Sequence, residues 1–321
     1  MRSYLGRILE GESLPNDPAS QALARQICRR HGIDSDKPLV YRRESNPVYL
    51  IDESWVVKTF TAQAEREFAV EKTLLRQLTL DSTLPAPHWL ADGSIDGADY
   101  ILMTQVPGQP LGKVWPSIPS AQHPRLAQKI GHLLRCLHQT DPEPLRQVEQ
   151  RHGGWTDFCR QHGPQFRRDL ETMKFLSGPL RRQIATFLDT EAAAYIDTGS
   201  ALVHADIGPG HIYLDETENG WRVSGLIDFA DAMLAPAEYE WTDGLLYLFP
   251  EDPALRWAVL AGYYADGGRP DNLERRCLAN LMYSYAGARW IKEWHQREGK
   301  PALRTLQNLQ ELLFPSPPVT T

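Results

Sequence analysis

The chain has only four cysteines in 321 residues, Cys28, Cys136, Cys159 and Cys277, and they are widely separated. With no C-x-x-C pair among them, neither a disulfide scaffold nor a cysteine-built zinc site is expected, and the composition reads as that of a reduced protein. There is no basic excess either: the formal net charge is −7. That argues against a nucleic-acid or anionic-membrane partner, because phosphate surfaces require clustered Lys and Arg. No uncharged apolar run approaches the roughly 18 residues that span a bilayer. The opening residues MRSYLGRILEGESLPNDP lack the apolar core of a signal peptide. The expectation is a soluble, cytoplasmic protein. No internal repeat is visible.

At roughly 150 residues per domain, the length suggests about two lobes. The balance of 42% hydrophobic and 23% charged residues is an ordinary globular one. A short amphipathic helix is expected over 19–32, ending at Gly32. The stretches PLVYRRESNPVYLID and SWVVKTF follow, rich in β-branched and aromatic residues, and read as strands. Residues 62–78 carry a helical apolar period, TLPAPHWLADG breaks it, and ADYILMTQV reads as a further strand. This order predicts a small, mostly antiparallel sheet with one helix over about 36–105. Four prolines and two glycines within 106–120 predict a hinge. Beyond it, RLAQKIGHLLRCLHQ is an amphipathic helix with Leu126, Ile130, Leu133 and Leu137 on one face. Residues 155–195 read as helical, with a break at Ser177-Gly178-Pro179. The segment ALVHADIGPGHIYLDETENGWRVSGLIDFADA reads as a buried strand, a Gly-Pro loop and a hairpin turning at Asn219-Gly220. The division is therefore 1–105, 106–120 and 121–321.

That last segment carries the chemistry. His204-Ala205-Asp206 is followed five positions later by His211, and then by Asp228-Phe229-Ala230. A catalytic loop of the form H-R-D-x-x-x-x-N has the same spacing from its Asp to its Asn. A hairpin between His211 and Asp228 folds Asp228 back beside the loop, so three polar side chains converge at the ends of apolar strands. Phosphoryl transfer needs such a cluster: one carboxylate for the hydroxyl proton, and ligands for a metal that neutralises phosphate charge. A second signal is Lys58, near the end of the apolar strand SWVVKTF. Glu71 lies on the apolar face of the next helix, three residues after Phe68 and four before Leu75. An inward carboxylate is costly unless paired, and Lys58 is the natural partner, with Glu67 as the runner-up.

The pieces VVKTF, EKTLLRQL followed by LPAP, YILMTQVPG, LLRCLHQ, LVHADIGPGHIYLD and GLIDFADA together resemble the aminoglycoside phosphotransferase family, relatives of choline kinase and of protein kinases. The resemblance runs from about Tyr41 to Trp241. It implies an α+β, bilobal, protein-kinase-like fold with a small N-lobe sheet and a larger, mostly helical C-lobe. It also implies that the γ-phosphate of ATP or GTP moves, with Mg²⁺, to a hydroxyl of a small polar substrate such as an aminoglycoside-type antibiotic. By the same resemblance Lys58 and Glu71 form the nucleotide-side ion pair, and Met103 is the gatekeeper. Gln105 and Val106 lie in the base-binding hinge, Ser45 opens the phosphate-covering loop, and Asp206 is the catalytic acid-base residue. Asp228 and His211 are the implied metal ligands. Two departures stand out. The phosphate loop lacks G-x-G-x-x-G, and His211 occupies a position where most members have Asn, although Mg²⁺ prefers oxygen ligands. A branch of the family looks alike at this loop, with His there.

Those departures leave two competing readings open: a kinase of a metabolic amino alcohol or sugar, and a non-catalytic nucleotide-binding pseudokinase. The acidic run Asp231, Glu238, Glu240, Asp243, Glu251 and Asp252 reads equally as a surface for a cationic acceptor and as a solvated loop face. Trp290 and Trp294 recur with Tyr283 and Gly287 at helical spacing, which reads as a core stripe.

Overall fold

The computed structural model describes residues 18–37, 39–42, 46–52, 54–81, 83–196 and 201–315. The chain divides into two compact units, Met1–Pro119 with Pro209–Asp231, and Ser120–Gly208 with Ala232–Thr321.

The first unit is built on an antiparallel sheet. Strands β1 (Leu39–Arg42), β2 (Val48–Ile51), β3 (Trp55–Phe60), β4 (Trp89–Ile95) and β5 (Ala98–Thr104) lie in the order β1-β2-β3-β5-β4. Side chains alternate across a strand, and this sheet uses both faces. Tyr49, Ile51, Val57, Tyr100 and Leu102 form one apolar layer with Ala24, Ile27 and Cys28 of helix α1 (Pro18–Arg30). Val48, Leu50, Val56, Lys58 and Met103 alternate with that layer and line a cleft. Helix α2 (Glu65–Leu80) follows a 3₁₀ turn at Ala62–Ala64 and buries Phe68, Val70, Glu71, Leu74, Leu75 and Leu78.

The segment expected as a hinge has structure of its own. Gln109–Pro110 forms strand β6, followed by the helical turn α3 (Leu111–Val114). β6 pairs with β8 (Ile212–Thr217), which pairs with β9 (Gly220–Leu226). Gly108 permits the approach: its φ is +90°, and a Cβ there would lie 2.1 Å from the Leu214 carbonyl oxygen. The sequence division leaves residues 209–231 with the C-terminal lobe, whereas this pairing groups them with the first unit. The hairpin turn is one residue earlier than expected. Thr217 pairs with Gly220, so Glu218 and Asn219 form the turn, and Gly220 takes a φ of +93°.

The second unit is mainly helical, with α4 (His123–His138), α5 (Glu143–His152), α6 (Trp155–Thr172), α7 (Gly178–Phe187) and α8 (Ala193–Ile196) in its first half. The expected break falls at 173–177, where Ser177 caps α7 by accepting a hydrogen bond from the Leu180 amide. Strand β7 (Ala201–Val203) pairs antiparallel with β10 (Met233–Ala235). Helices α9 (Glu240–Tyr247), α10 (Pro253–Tyr263), α11 (Leu273–Tyr283), α12 (Gly287–Arg297) and α13 (Leu306–Leu313) complete the unit. Helices α4 and α10 touch backbone to backbone. A Cβ on Gly131 would lie 1.9 Å from the Val259 carbonyl oxygen, and one on Gly262 would lie 1.9 Å from that of Gln128. Among the described residues, no helix is long and apolar enough to cross a membrane.

Candidate active site

Within the first unit, Val57 of β3 faces the α1 layer, so the pleat turns Lys58 to the opposite face. There Lys58 Nζ lies 2.7 Å from Glu71 Oε2 and 2.6 Å from Asp228 Oδ1. Lys58 and Glu71 are almost wholly buried, while the Asp228 side chain retains 21% exposure. Asp228 follows β9, and the hairpin delivers it although it stands 170 positions from Lys58. Its φ of +67° is left-handed, a conformation an aspartate adopts at a cost and that strained functional positions use. The next residue, Phe229, donates its backbone N–H to Glu71.

One cation thus serves two carboxylates. Burial works against the charge on Lys58, but Glu71 and Asp228 outweigh it and hold the ammonium above the ordinary lysine range. Burial pushes Glu71 up to about 7 against the pull of Lys58, with Asp228 adding to the push. With both carboxylates ionised the cluster carries one negative charge in excess, which suits a divalent cation.

These residues end a cleft. Val48, Leu50, Val56, Met103, Tyr213 and Ile227 give it apolar walls, and Gln105 and Val106 line its edge. The Gln105 backbone N–H donates to the Ser54 carbonyl at 3.0 Å. Ser45 lies outside the described residues. His211 precedes β8, and its carbonyl accepts from the Ile227 amide at 3.0 Å. Among the described residues, no three His, Cys, Asp or Glu side chains gather as a metal-binding group. A Mg²⁺ held here would take few ligands from the protein, the Asp228 carboxylate first among them, and phosphate oxygens would make up most of the set.

Within the second unit, β7 leads into His204-Ala205-Asp206. Ala205 has a φ of +66°, a strained value for alanine. Glu240, at the start of α9, holds this turn in place. Its carboxylate accepts from the His204 amide at 2.6 Å and from the Ala205 amide at 3.3 Å. It also accepts from His138 Nε2 at 3.1 Å, and the other ring nitrogen of His138 meets the Tyr263 hydroxyl at 2.8 Å. Burial opposes the charge on Glu240, but His138 and the His204 amide outweigh it and keep its carboxyl below the usual range. His204 itself is wholly buried, in keeping with a structural part. One turn further along α9, Asp243 Oδ1 accepts from Trp290 Nε1 at 2.6 Å.

Sequence reasoning read Glu240 and Asp243 only as members of an acidic run and did not single out His138. Glu238, Glu240 and Asp243 are all buried, so this part of the acidic run is not a solvated face. Glu238 pairs with Arg276 at 3.1 Å. The available signal was that Glu240 and Asp243 sit within the otherwise apolar run YEWTDGLLYLF, where an acid is costly without partners. Trp290 and Trp294 are buried, as a core stripe requires.

No curated protein sequence matches the chain. Solved structures do match, at 15–19% identity. The GDP complex of wild-type aminoglycoside 2'-phosphotransferase-IIIa superposes with a TM-score of 0.63 at 18% identity, covering 91% of this chain and 96% of that one. Macrolide 2'-phosphotransferase MphH from Brachybacterium faecium gives 0.56 at 19% identity, covering 92% and 99%. The streptomycin–ATP ternary complex of APH(2")-IIa gives 0.58 at 17% identity, covering 94% and 99%. These likenesses show an α+β, bilobal, protein-kinase-like fold. The sequence pattern of the phosphotransferase enzyme family matches residues 39–276, well over half of the chain, and the chain belongs to that family.

Proposed function

We propose that the protein moves the γ-phosphate of ATP or GTP to a hydroxyl of a small, polyhydroxylated acceptor, with antibiotics of the aminoglycoside or macrolide kind as the first candidates. The observation that carries this reading is the buried Lys58–Glu71–Asp228 cluster at the end of an apolar cleft. The base packs between Val48, Val56 and Met103, against the Gln105–Val106 edge. Lys58, held by Glu71, contacts the phosphates. Asp228, joined by His211, would hold a Mg²⁺ that supplies charge neutralisation along the triphosphate. Asp206 orients the acceptor hydroxyl and receives its proton, while Glu240 and His138 fix the turn that carries it. Most of the acceleration then comes from positioning and electrostatics. The acceptor class is supported by the similar proteins, whose structures hold kanamycin, gentamicin or streptomycin.

A coupled phosphorylation screen over aminoglycosides, macrolides, amino alcohols and sugars, run with both nucleotides, tests the reading. The expected result is turnover on at least one acceptor that Asp228→Ala abolishes. Tight nucleotide binding with no turnover on any acceptor would replace it with a nucleotide-binding switch. His211→Asn tests the metal role separately. Asn preserves much of the activity and Ala does not if the side chain is a ligand; equal activity removes His211 from the site.

A further inference from the structure

The His204–Ile207 turn lies against α9, which carries two buried acids that are treated differently. Glu240 is fully engaged. Asp243 is 6% exposed, with one oxygen on Trp290 and the other, Oδ2, buried with no hydrogen-bond partner. The contact with the turn is close: a Cβ on Gly244 would lie 3.1 Å from the Ile207 side chain. The charged and titratable groups acting on Asp243 are Asp206 from the turn, Glu240 from the start of α9, Tyr239 just before it, and Arg289 from α12. An asparagine would accept the same Trp290 bond with no charge to bury. The hydrogen bond alone therefore gives no reason for a carboxylate.

We propose that Asp243 is a positioning residue for the transfer step: its negative charge, anchored beneath the turn by Trp290, makes Asp206 a stronger proton acceptor. This rests on the function proposed above. In the step itself the acceptor oxygen bonds to the γ-phosphorus, the bond to the β-bridging oxygen breaks, and the hydroxyl proton passes to Asp206. Asp243 exchanges nothing with the substrates. Burial above all pushes Asp243 up to about 7, with Trp290 opposing and the charge of Asp206 adding. Its charge therefore develops as pH rises through neutrality, and the transfer rate follows it.

The test is a single-turnover pH profile between pH 6 and 8.5, with saturating nucleotide and kanamycin or whichever acceptor the screen returns. The wild-type rate should rise about three- to tenfold through a midpoint near neutrality, a modest share of what a general base contributes. Asp243→Asn should flatten that rise. A merely structural role lowers the rate by one factor at every pH and overturns the proposal. Trp290→Phe removes the one hydrogen bond on Asp243 and should move the midpoint upward; an unmoved midpoint counts against the proposal. A second readout needs no acceptor: the Asp243 carboxyl titration, followed by carbon-13 NMR in aspartate-labelled protein. Asp206→Asn removes the neighbouring like charge and should lower the Asp243 midpoint. If it does not, the coupling is absent and the proposal fails. If the carboxyls are coupled but no acceptor is ever phosphorylated, it is the kinase reading that falls.

Discussion

Both units bury carboxylates beside a candidate catalytic group, but they stabilise them by different means. In the first, the lysine Lys58 neutralises Glu71 and Asp228 by direct charge. In the second, Glu240 is held by hydrogen bonds from two backbone amides and the His138 ring. The charge-based arrangement can be rebalanced by a bound cation or phosphate, so it suits a place where ligands come and go. The hydrogen-bonded arrangement is local and directional, so it suits a turn that must keep its shape, including the strained φ of Ala205.

The largest effect that would break this comparison is on catalysis. Asp206→Ala should reduce turnover by roughly two to four orders of magnitude, the usual worth of general acid-base help. Unchanged turnover would show that the turn held by Glu240 carries no catalytic group. Next comes Lys58→Met, which leaves Glu71 and Asp228 without the cation they share. Chemical denaturation should show a loss of about 3–5 kcal/mol, as for other buried pairs deprived of one partner. Glu240→Gln keeps the shape and one acceptor but removes the charge. A stability loss of about 1.5–3 kcal/mol is expected, the range for hydrogen bonds to charged groups. Turnover should fall while nucleotide affinity holds; a parallel loss of nucleotide binding would erase the distinction between the two arrangements.

The smallest effect is a difference in pH slope within α9. Glu240 has its carboxyl lowered on folding, so it stabilises the fold above the ordinary carboxylate range and loses that contribution as pH falls. Asp243 is raised from 3.8 to about 7, so the folded chain keeps a proton that the unfolded chain has released. Its contribution therefore weakens as pH rises from about 4 to 7. Between pH 5 and pH 7.5 denaturation should show Asp243→Asn gaining on wild type, whereas Glu240→Gln should lie below wild type by a constant amount there and approach it only as pH falls below about 4.

Much of the first unit was legible in the sequence because its signals are local. Glu71 on the inward face of its helix follows from period and cost, and together with the distal motifs it singles out Lys58 near the end of the preceding apolar strand. The Asn219-Gly220 signal found the hairpin and missed only its register, since Gly220 provides its left-handed conformation as the first paired residue and not inside the turn. What was not legible is non-local. Strand β6 is two residues long and exists only because β8, a hundred positions later, pairs with it. Glu240 reads as one acid in an acidic run until the fold brings His138 to it from α4.

The crossing of α4 and α10 shows how little material secures that arrangement. Where Gly131 and Gly262 meet the opposing helix, the space a methyl group would fill is already taken by a carbonyl oxygen. His138 and Tyr263 stand at the ends of these two helices, and the chain of contacts from them runs to Ala205. A single alanine at either glycine would pry the rods apart like a wedge in a hinge pin, and the slack would be felt at a loop that neither glycine touches.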